Sequence, residues 1–575
     1  MSELMLGNEA IARGIYEAGC RLVFSYPGTP STEITESALN YQEIEAEWAP
    51  NEKVALEAAI GASMVGARAF CAMKHVGLNV ASDPLFTAVY TGVKGGLVIA
   101  VADDPGMHSS QNEQDTRSIA VAAKIPLLEP QDSMECKELT IKAFEISEMF
   151  DLPVIIRLTT RVAHSRSLVK QEEVEEKRIL EYKKDPQKNV MVPAFAKIRR
   201  IDLEERLKRI EEYSENSGIN YIEKGENIGF IANGISRLYA KEALKTNPGM
   251  LNLRMVNPLP KEMIKEFSKN YDRVVVVEEL DPVIENQCKA FGINVEGKNL
   301  FPSYSEYSRH MISEKLGEDV SEYINYGEEI PLRPPVLCSG CTHRGIFYIL
   351  RKLGVFVSGD IGCYTLGASY PLSAMDTVVC MGASVSAVHG VLKAREDWSD
   401  KAVAVIGDST FIHSGITGLI NIAYNRSNAT VIILDNRITG MTGHQNNPTS
   451  GYNARNEVAP EVDLVALCKA CGIESVTIVD PYDIEATQEV IMTELKKQQP
   501  SVIIAKRPCV LLRSTKREKS CFVDEEGCIG CKVCLTLGCP SLVSGDNTVS
   551  IDEASCTGCG ICMQVCPPST IKRSE

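Results

Sequence analysis

Residues 401–409 read KAVAVIGDS and residues 429–436 read ATVIILDN. Each is a short run of Val, Ile, Leu and Ala that closes on polar residues, Gly407-Asp408-Ser409 in the first and Asp435-Asn436 in the second. Runs of this length, apolar throughout, form strands buried on both faces of a parallel sheet. Their polar ends then fall at the carboxyl edge of that sheet, where open α/β folds bind ligands. PSVIIAKRP at 500–508 supplies a further strand, so residues 336–515 are expected to form one large α/β domain.

The same rhythm, with GGLVIAVA at 95–102 and LPVIIRL at 152–158, assigns residues 1–165 to another large α/β domain. Residues 166–224 are charge-rich and read as a connector of solvated helices. NIGFIANGIS and YDRVVVVEEL are two buried strands of a smaller α/β domain at 225–302, and a polar stretch at 303–335 forms a second connector. Residues 520–575 hold eight cysteines, many glycines and few long apolar stretches, a composition that needs metal to hold it together.

The chain of 575 residues is long enough for several domains, and its formal charge of −16 counts against nucleic acid and anionic membrane as partners. No basic region followed by an apolar core opens the sequence, and no apolar run approaches the roughly 20 residues that span a bilayer. A cytoplasmic protein is expected. Twenty cysteines then read as metal ligands and packing residues rather than disulfides.

In the tail, Cys528, Cys531 and Cys534 precede Cys539-Pro540, and Cys556, Cys559 and Cys562 precede Cys566-Pro567. Three thiolates two residues apart wrap three corners of a [4Fe-4S] cubane, and the fourth ligand comes from the other run. One cluster thus takes Cys528, Cys531, Cys534 and Cys566, and the other Cys556, Cys559, Cys562 and Cys539. The tail resembles a bacterial-type two-cluster ferredoxin domain, with four residues instead of three before Cys539. Cys521, just upstream, is read as a spare thiol, and Cys468 with Cys471 as packing.

A magnesium ion bridging a diphosphate needs hard oxygen donors, which an Asp carboxylate, an Asn amide and a backbone carbonyl supply. Gly407-Asp408-Ser409 followed by Asn436 is similar to the thiamine diphosphate motif, with Ser409 where the motif has a second glycine. The resemblance assigns Gly407, Asp408, Ser409, Asn436 and Ile438 to the cofactor, with Asp408, Asn436 and the Ile438 carbonyl as magnesium ligands. Such a cofactor also needs a carboxylate against its aminopyrimidine ring. In NEKVALEAAIGASMVGAR at 51–68, Glu57 fits the pattern of that residue, with Glu52 as its competitor.

Together with YPGTPSTEI at 26–34, SSQNEQDTR at 109–117, LCSGCTHRG at 337–345 and SGDIGCYTLG at 358–367, these features resemble the thiamine diphosphate-dependent 2-oxoacid:ferredoxin oxidoreductases over nearly the whole chain. The resemblance implies an α/β protein: two thiamine-diphosphate-binding parallel-sheet domains, a smaller α/β domain between them, and a C-terminal two-cluster ferredoxin-like α+β domain. It implies oxidative decarboxylation of an aryl 2-oxoacid such as indolepyruvate, acyl transfer to coenzyme A, electrons passed to ferredoxin, and a smaller second subunit. It makes Thr29 and Arg117 candidates for holding substrate, and Cys338, Cys341, Cys363 and Cys509 ligands of a third, proximal [4Fe-4S] cluster. His343, His413 and His444 lie in the matched segments as candidate proton carriers or phosphate ligands. The competing readings are a nonoxidative 2-oxoacid decarboxylase and a noncatalytic electron-transfer scaffold.

Overall fold

The apolar runs become the strands of two parallel sheets that share one strand order. A computed structural model describes residues 2–174, 179–318, 320, 327, 329–331 and 333–574, in two units, residues 1–328 and 329–575. In the first unit the sheet runs Glu45–Trp48, Leu22–Ser25, Ala69–Lys74, Leu97–Asp103, Val154–Thr159, Leu127–Leu128, all parallel, with Met255–Asn257 added antiparallel at the edge. In the second it runs Thr377–Val378, Phe356–Gly359, Ala402–Gly407, Thr430–Asp435, Ser501–Lys506, Ser475–Val479, all parallel. Counted in chain order, both six-strand sets are arranged 2-1-3-4-6-5. The connections leave the first and third strands in opposite directions, so each sheet has its switch point there. Both sheets are fully buried along their central strands, which explains their near-continuous Val, Ile and Ala content.

The first unit departs from the expected boundaries. Its small sheet runs Arg273–Val277, Ile228–Asn233, Gly249–Leu253, Tyr221–Glu223, the last antiparallel, so it begins before residue 225. It also extends past residue 302. Phe301, Tyr307 and Ile312 share a core with Phe230 and Val275, and the Ser313 hydroxyl, on helix Arg309–Lys315, donates to the Ala243 carbonyl at 2.7 Å. The first connector is docked rather than solvated. Arg166–Lys170 pairs with Ser2–Leu6, and helix Pro193–Asn216 buries Leu203 and Ile210. Residues 175–178 of that connector, and 319, 321–326, 328 and 332 of the second, lie outside the described residues. No helix among the described residues is long and apolar enough to cross a membrane.

The cysteine tail forms two antiparallel ribbons, Cys521–Val523 with Ile571–Arg573 and Leu542–Ser544 with Val549–Ile551. Its apolar side chains do not stand alone. Leu537, Val549, Ile561 and Ile571 share one core with Ile346, Phe347 and Leu350 of the preceding domain.

Arg117 is neither a surface cation nor free for a substrate carboxylate, which corrects its assignment as a substrate residue. It is 1% exposed, its Nε and Nη2 grip Asp115 at 2.9 and 2.6 Å, and Nη1 donates to Glu278 at 2.6 Å. Nη2 also reaches the Glu279 and Asp281 carbonyls. The guanidinium is committed to pinning helix Thr116–Ala123 to the loop that follows strand Arg273–Val277. Because removing one partner of a buried ion pair strands the other charges, Arg117→Met is expected to destabilise the first unit by roughly 3–5 kcal/mol. Urea unfolding followed by tryptophan fluorescence measures it, and a loss below about 1 kcal/mol would refute the pinning role.

Candidate functional site

Asp408 and Asn436 leave the carboxyl ends of the adjacent strands Ala402–Gly407 and Thr430–Asp435. Both are buried. The Asn436 amide oxygen faces Asp408 Oδ1 at 3.2 Å and the Ile438 carbonyl at 2.8 Å. Asn436 Nδ2 lies 3.3 Å from His343 Nε2, and with the amide oxygen turned toward Asp408 the imidazole accepts from it. Burial pushes His343 down to about 4, leaving it neutral and able to do so. The three oxygens converge, the Asn436 oxygen also accepting from the Ile438 amide at 3.3 Å, and acceptors so placed fit a divalent cation.

The charges agree with this. Burial, then the neighbouring Asp435, push the Asp408 carboxyl up to about 7, against hydrogen bonds from Thr449 and Asn447 that pull it down. Thr449 Oγ1 and Asn447 Nδ2 donate to the other carboxylate oxygen, Oδ2, at 2.6 and 3.3 Å, holding Oδ1 toward Asn436. Ser409 does not spoil the cradle. Its hydroxyl accepts from Thr439 at 3.0 Å and so ties the two loops together. Asn447 and Thr449 were not legible as site residues, since nothing in NNPTS marks a contact across 40 positions of chain. His413 is buried in a π-helical turn, Phe411–Gly415, with Nδ1 2.8 Å from Ser414 Oγ, whereas His444 is exposed.

Of the four cysteines assigned to a proximal cluster, Cys509 and Cys363 lie beside this cradle. The Cys509 amide donates to the Asn436 carbonyl at 3.0 Å, and a Cβ on Gly440 would lie 3.3 Å from Cys363 Sγ. Cys341 feels the charges of Cys338 and Cys363, and Cys509 that of Cys338. Burial pushes the thiols of Cys341 and Cys363 up, to about 12 and about 11. Cys468 is buried in the core of the sheet, as packing predicts.

The tail encloses two cavities. One, of about 10 Å³, is lined by Cys528, Cys531, Cys534 and Cys566; the other, of about 20 Å³, by Cys539, Cys556, Cys559 and Cys562, with Cys521 as a fifth. Among the described residues no three Cys, His, Asp or Glu groups close on a single ion. Four thiols set around each space without closing on a common point fit a cluster better than one zinc, which needs sulfurs about 2.3 Å from that point.

In the first unit the matched segments meet at the switch point. Ser109 Oγ donates to the Thr29 carbonyl at 3.2 Å, and Lys74 Nζ to the Ser109 carbonyl at 2.6 Å. Thr29 caps no helix: Ser31 occupies that position before Thr32–Ala38. Burial lowers Lys74 to about 8, with the Asp104 charge working against it. His75, 1% exposed, has both ring nitrogens without a partner. Neither residue carries a sequence motif. The two glutamates separate clearly. Glu57 lies on the outer face, its side chain 47% exposed and paired with Lys53, whereas Glu52, first in helix Glu52–Met64, is 5% exposed. A Cβ on Gly77 would lie 2.5 Å from Glu52 Oε1, so only glycine lets helix His75–Val80 pack there. Glu52, and not the expected Glu57, is thus the one of the two carboxylates that is withdrawn from water.

Two domains of one strand order, an oxygen cradle at the switch point of one, and a cysteine tail define a thiamine diphosphate enzyme with ferredoxin-type electron transfer. Residues 13–228 match the pyruvate flavodoxin/ferredoxin oxidoreductase thiamine diphosphate-binding family, residues 360–505 the thiamine pyrophosphate enzyme C-terminal TPP-binding domain, and residues 549–572 the 4Fe-4S binding domain. The indolepyruvate oxidoreductase subunit IorA of Archaeoglobus fulgidus is 40% identical, covering 95% of this chain and 93% of its own length. That of Pyrococcus abyssi is 41% identical, covering 94% and 91%. A solved 2-oxoglutarate:ferredoxin oxidoreductase from Magnetococcus marinus is 16% identical and covers 55% of this chain and 64% of its own at a TM-score of 0.47. The chain belongs to the indolepyruvate oxidoreductase IorA family, within the 2-oxoacid:ferredoxin oxidoreductases.

Cation binding at the cradle must expel a proton from Asp408. Affinity for Mg²⁺ with thiamine diphosphate is expected to rise about tenfold per pH unit below about pH 7 and to level off above it. Asp435→Asn removes the neighbouring charge and moves the break to lower pH. Calorimetric titration across this range checks both, and a pH-independent affinity would sink the assignment.

Proposed function

We propose that this chain is the large subunit of an indolepyruvate ferredoxin oxidoreductase, which oxidatively decarboxylates aryl 2-oxoacids with coenzyme A to aryl-acetyl-CoA, carbon dioxide and reduced ferredoxin. The observation that carries this reading is the meeting of the Asp408, Asn436 and Ile438 oxygens with the backbone of Cys509, and of Gly440 on the loop after Ile438 with the Cys363 thiol. It favours oxidative chemistry over a nonoxidative decarboxylase, which has no use for thiols beside its metal. The intact oxygen set disfavours a noncatalytic scaffold. Bound thiamine diphosphate supplies the carbanion chemistry of decarboxylation, and iron-sulfur clusters accept the electrons singly.

The chain's own residues then have separate tasks. Asp408, Asn436 and the Ile438 carbonyl hold Mg²⁺ against the diphosphate, and His343 keeps the Asn436 amide turned inward. Glu52 carries the carboxylate for the aminopyrimidine, and Thr29, with Lys74 nearby, faces the substrate's oxygens. Cys338, Cys341, Cys363 and Cys509 hold a proximal cluster, and the tail cysteines hold two more in the sets their cavities group. Ferredoxin and a smaller second subunit are the partners, in the cytoplasm. Viologen or ferredoxin reduction by a panel of 2-oxoacids tests the activity: aryl substrates should lead, and turnover should fall without coenzyme A. Equal rates with pyruvate and indolepyruvate would overturn the substrate class.

Glu52→Gln is expected to lower 2-oxoacid-dependent dye reduction by about 10²- to 10⁴-fold with clusters intact, while Glu57→Gln stays within about twofold. The reverse ranking in steady-state assays would restore Glu57. Iron and acid-labile sulfide should approach about twelve each per chain, and Cys338→Ala about eight, with the tail clusters undisturbed. A fully loaded wild-type protein with about eight would leave no proximal cluster.

A further inference from the structure

The two tail cavities differ in what surrounds their thiols. The smaller is lined, besides its cysteines, by Val523, Ile529, Val549, Pro567 and Pro568, and its one cation, Lys532, is solvent-exposed. Its ligand Cys566 lies 3.4 Å from Thr570 Oγ1. The larger is approached by a buried charge. Arg344, 2% exposed, lines it, with Nη1 on the Leu537 carbonyl at 2.6 Å and Nη2 on the Leu337 and Cys338 carbonyls at 2.7 and 3.0 Å. Its Nε has no partner. Cys521, 1% exposed, lines the same cavity; its amide donates to Cys556 Sγ at 3.4 Å, and its thiol is one of those facing that space. Five thiols surround a space in which a cubane uses four.

We propose that the two tail clusters are poised unequally: Cys521 and Arg344 hold the cluster of Cys539, Cys556, Cys559 and Cys562 at the higher potential. This rests on the cofactor set proposed above. A reduced cluster carries one more negative charge than an oxidised one. Donors and cations facing its sulfurs stabilise that form and raise the potential. The effect is strong where water is excluded, as around Arg344, and weak where the cation is solvated, as with Lys532. The Arg344 contacts also join the Cys338 loop to the tail, so this cluster lies on the side of the proximal cysteines. Cys521 is a positioning and tuning residue, not a ligand.

A reductive titration of the full-length protein, followed by electron paramagnetic resonance, should resolve two tail midpoints. Cys521→Ala, which keeps the backbone donor and removes the thiol, is expected to lower only the higher one, changing its one-electron equilibrium several-fold at unchanged iron content. Cys521→Ser, which retains a donor, should return it toward wild type. Cys521→Val carries the same test if the alanine protein does not accumulate. An unchanged higher midpoint in a fully loaded variant overturns this inference alone. A loss of about four irons overturns it by making Cys521 a ligand. A wild-type tail without iron overturns it together with the cofactor set.

Discussion

The burial of Asp408 is the constraint around which the second unit is organised. A carboxyl pushed up to about 7 between Asp435 and a wall of apolar strands is costly to ionise, and either a proton or a cation among the oxygens relieves that cost. The surroundings prepare for that. Thr449 and Asn447 hold one carboxylate oxygen, and neutral His343 holds the Asn436 amide, so the free oxygens converge before any ion arrives. The loops that do this holding also carry cysteines. Asn436 is bonded to Cys509, Gly440 lies against Cys363, and His343 follows Cys341 by two residues. One set of backbone contacts thus positions both the oxygen cradle and the thiols.

The first unit is organised by charge in a different way. Arg117 and Arg157 are buried among Asp103, Asp115, Glu129 and Glu278, with ion-pair distances of 2.5 to 2.6 Å. Such a network adds little net stability against an apolar core, but each member depends on the others, and it specifies one docking of the small sheet on the large one. A substrate role for Arg117 would have required taking it out of that network. The polar groups left open at the switch point are Lys74, half satisfied by Ser109, and the partnerless His75.

The two units also show how a short tail gains stability. With few apolar residues of its own, the ferredoxin-type segment inserts Leu537, Val549, Ile561 and Ile571 into the core of the domain before it. Its cavities are thereby built against a rigid scaffold rather than by metal alone. Arg344 closes the junction by bonding carbonyls on both sides.

Local pattern determined much of this protein. Strand runs such as AVAVIG and TVIILD are read correctly because a strand buried on both faces has no choice but continuous apolar residues. The tail cysteines are legible because three ligands two residues apart are a local geometric fact. Asp408 and Asn436 follow from strand ends. What only the tertiary structure decided is whatever depends on which face a residue turns to water. Glu52 and Glu57 share one helix and one composition; a glycine on another helix, Gly77, packs against the first, and solvent takes the second. Arg117 reads as a free cation until its partners arrive from residues 278 to 281, and Asn447 and Thr449 have no signature at all. Burial and long-range pairing are properties of the packed chain, and no window of sequence contains both partners.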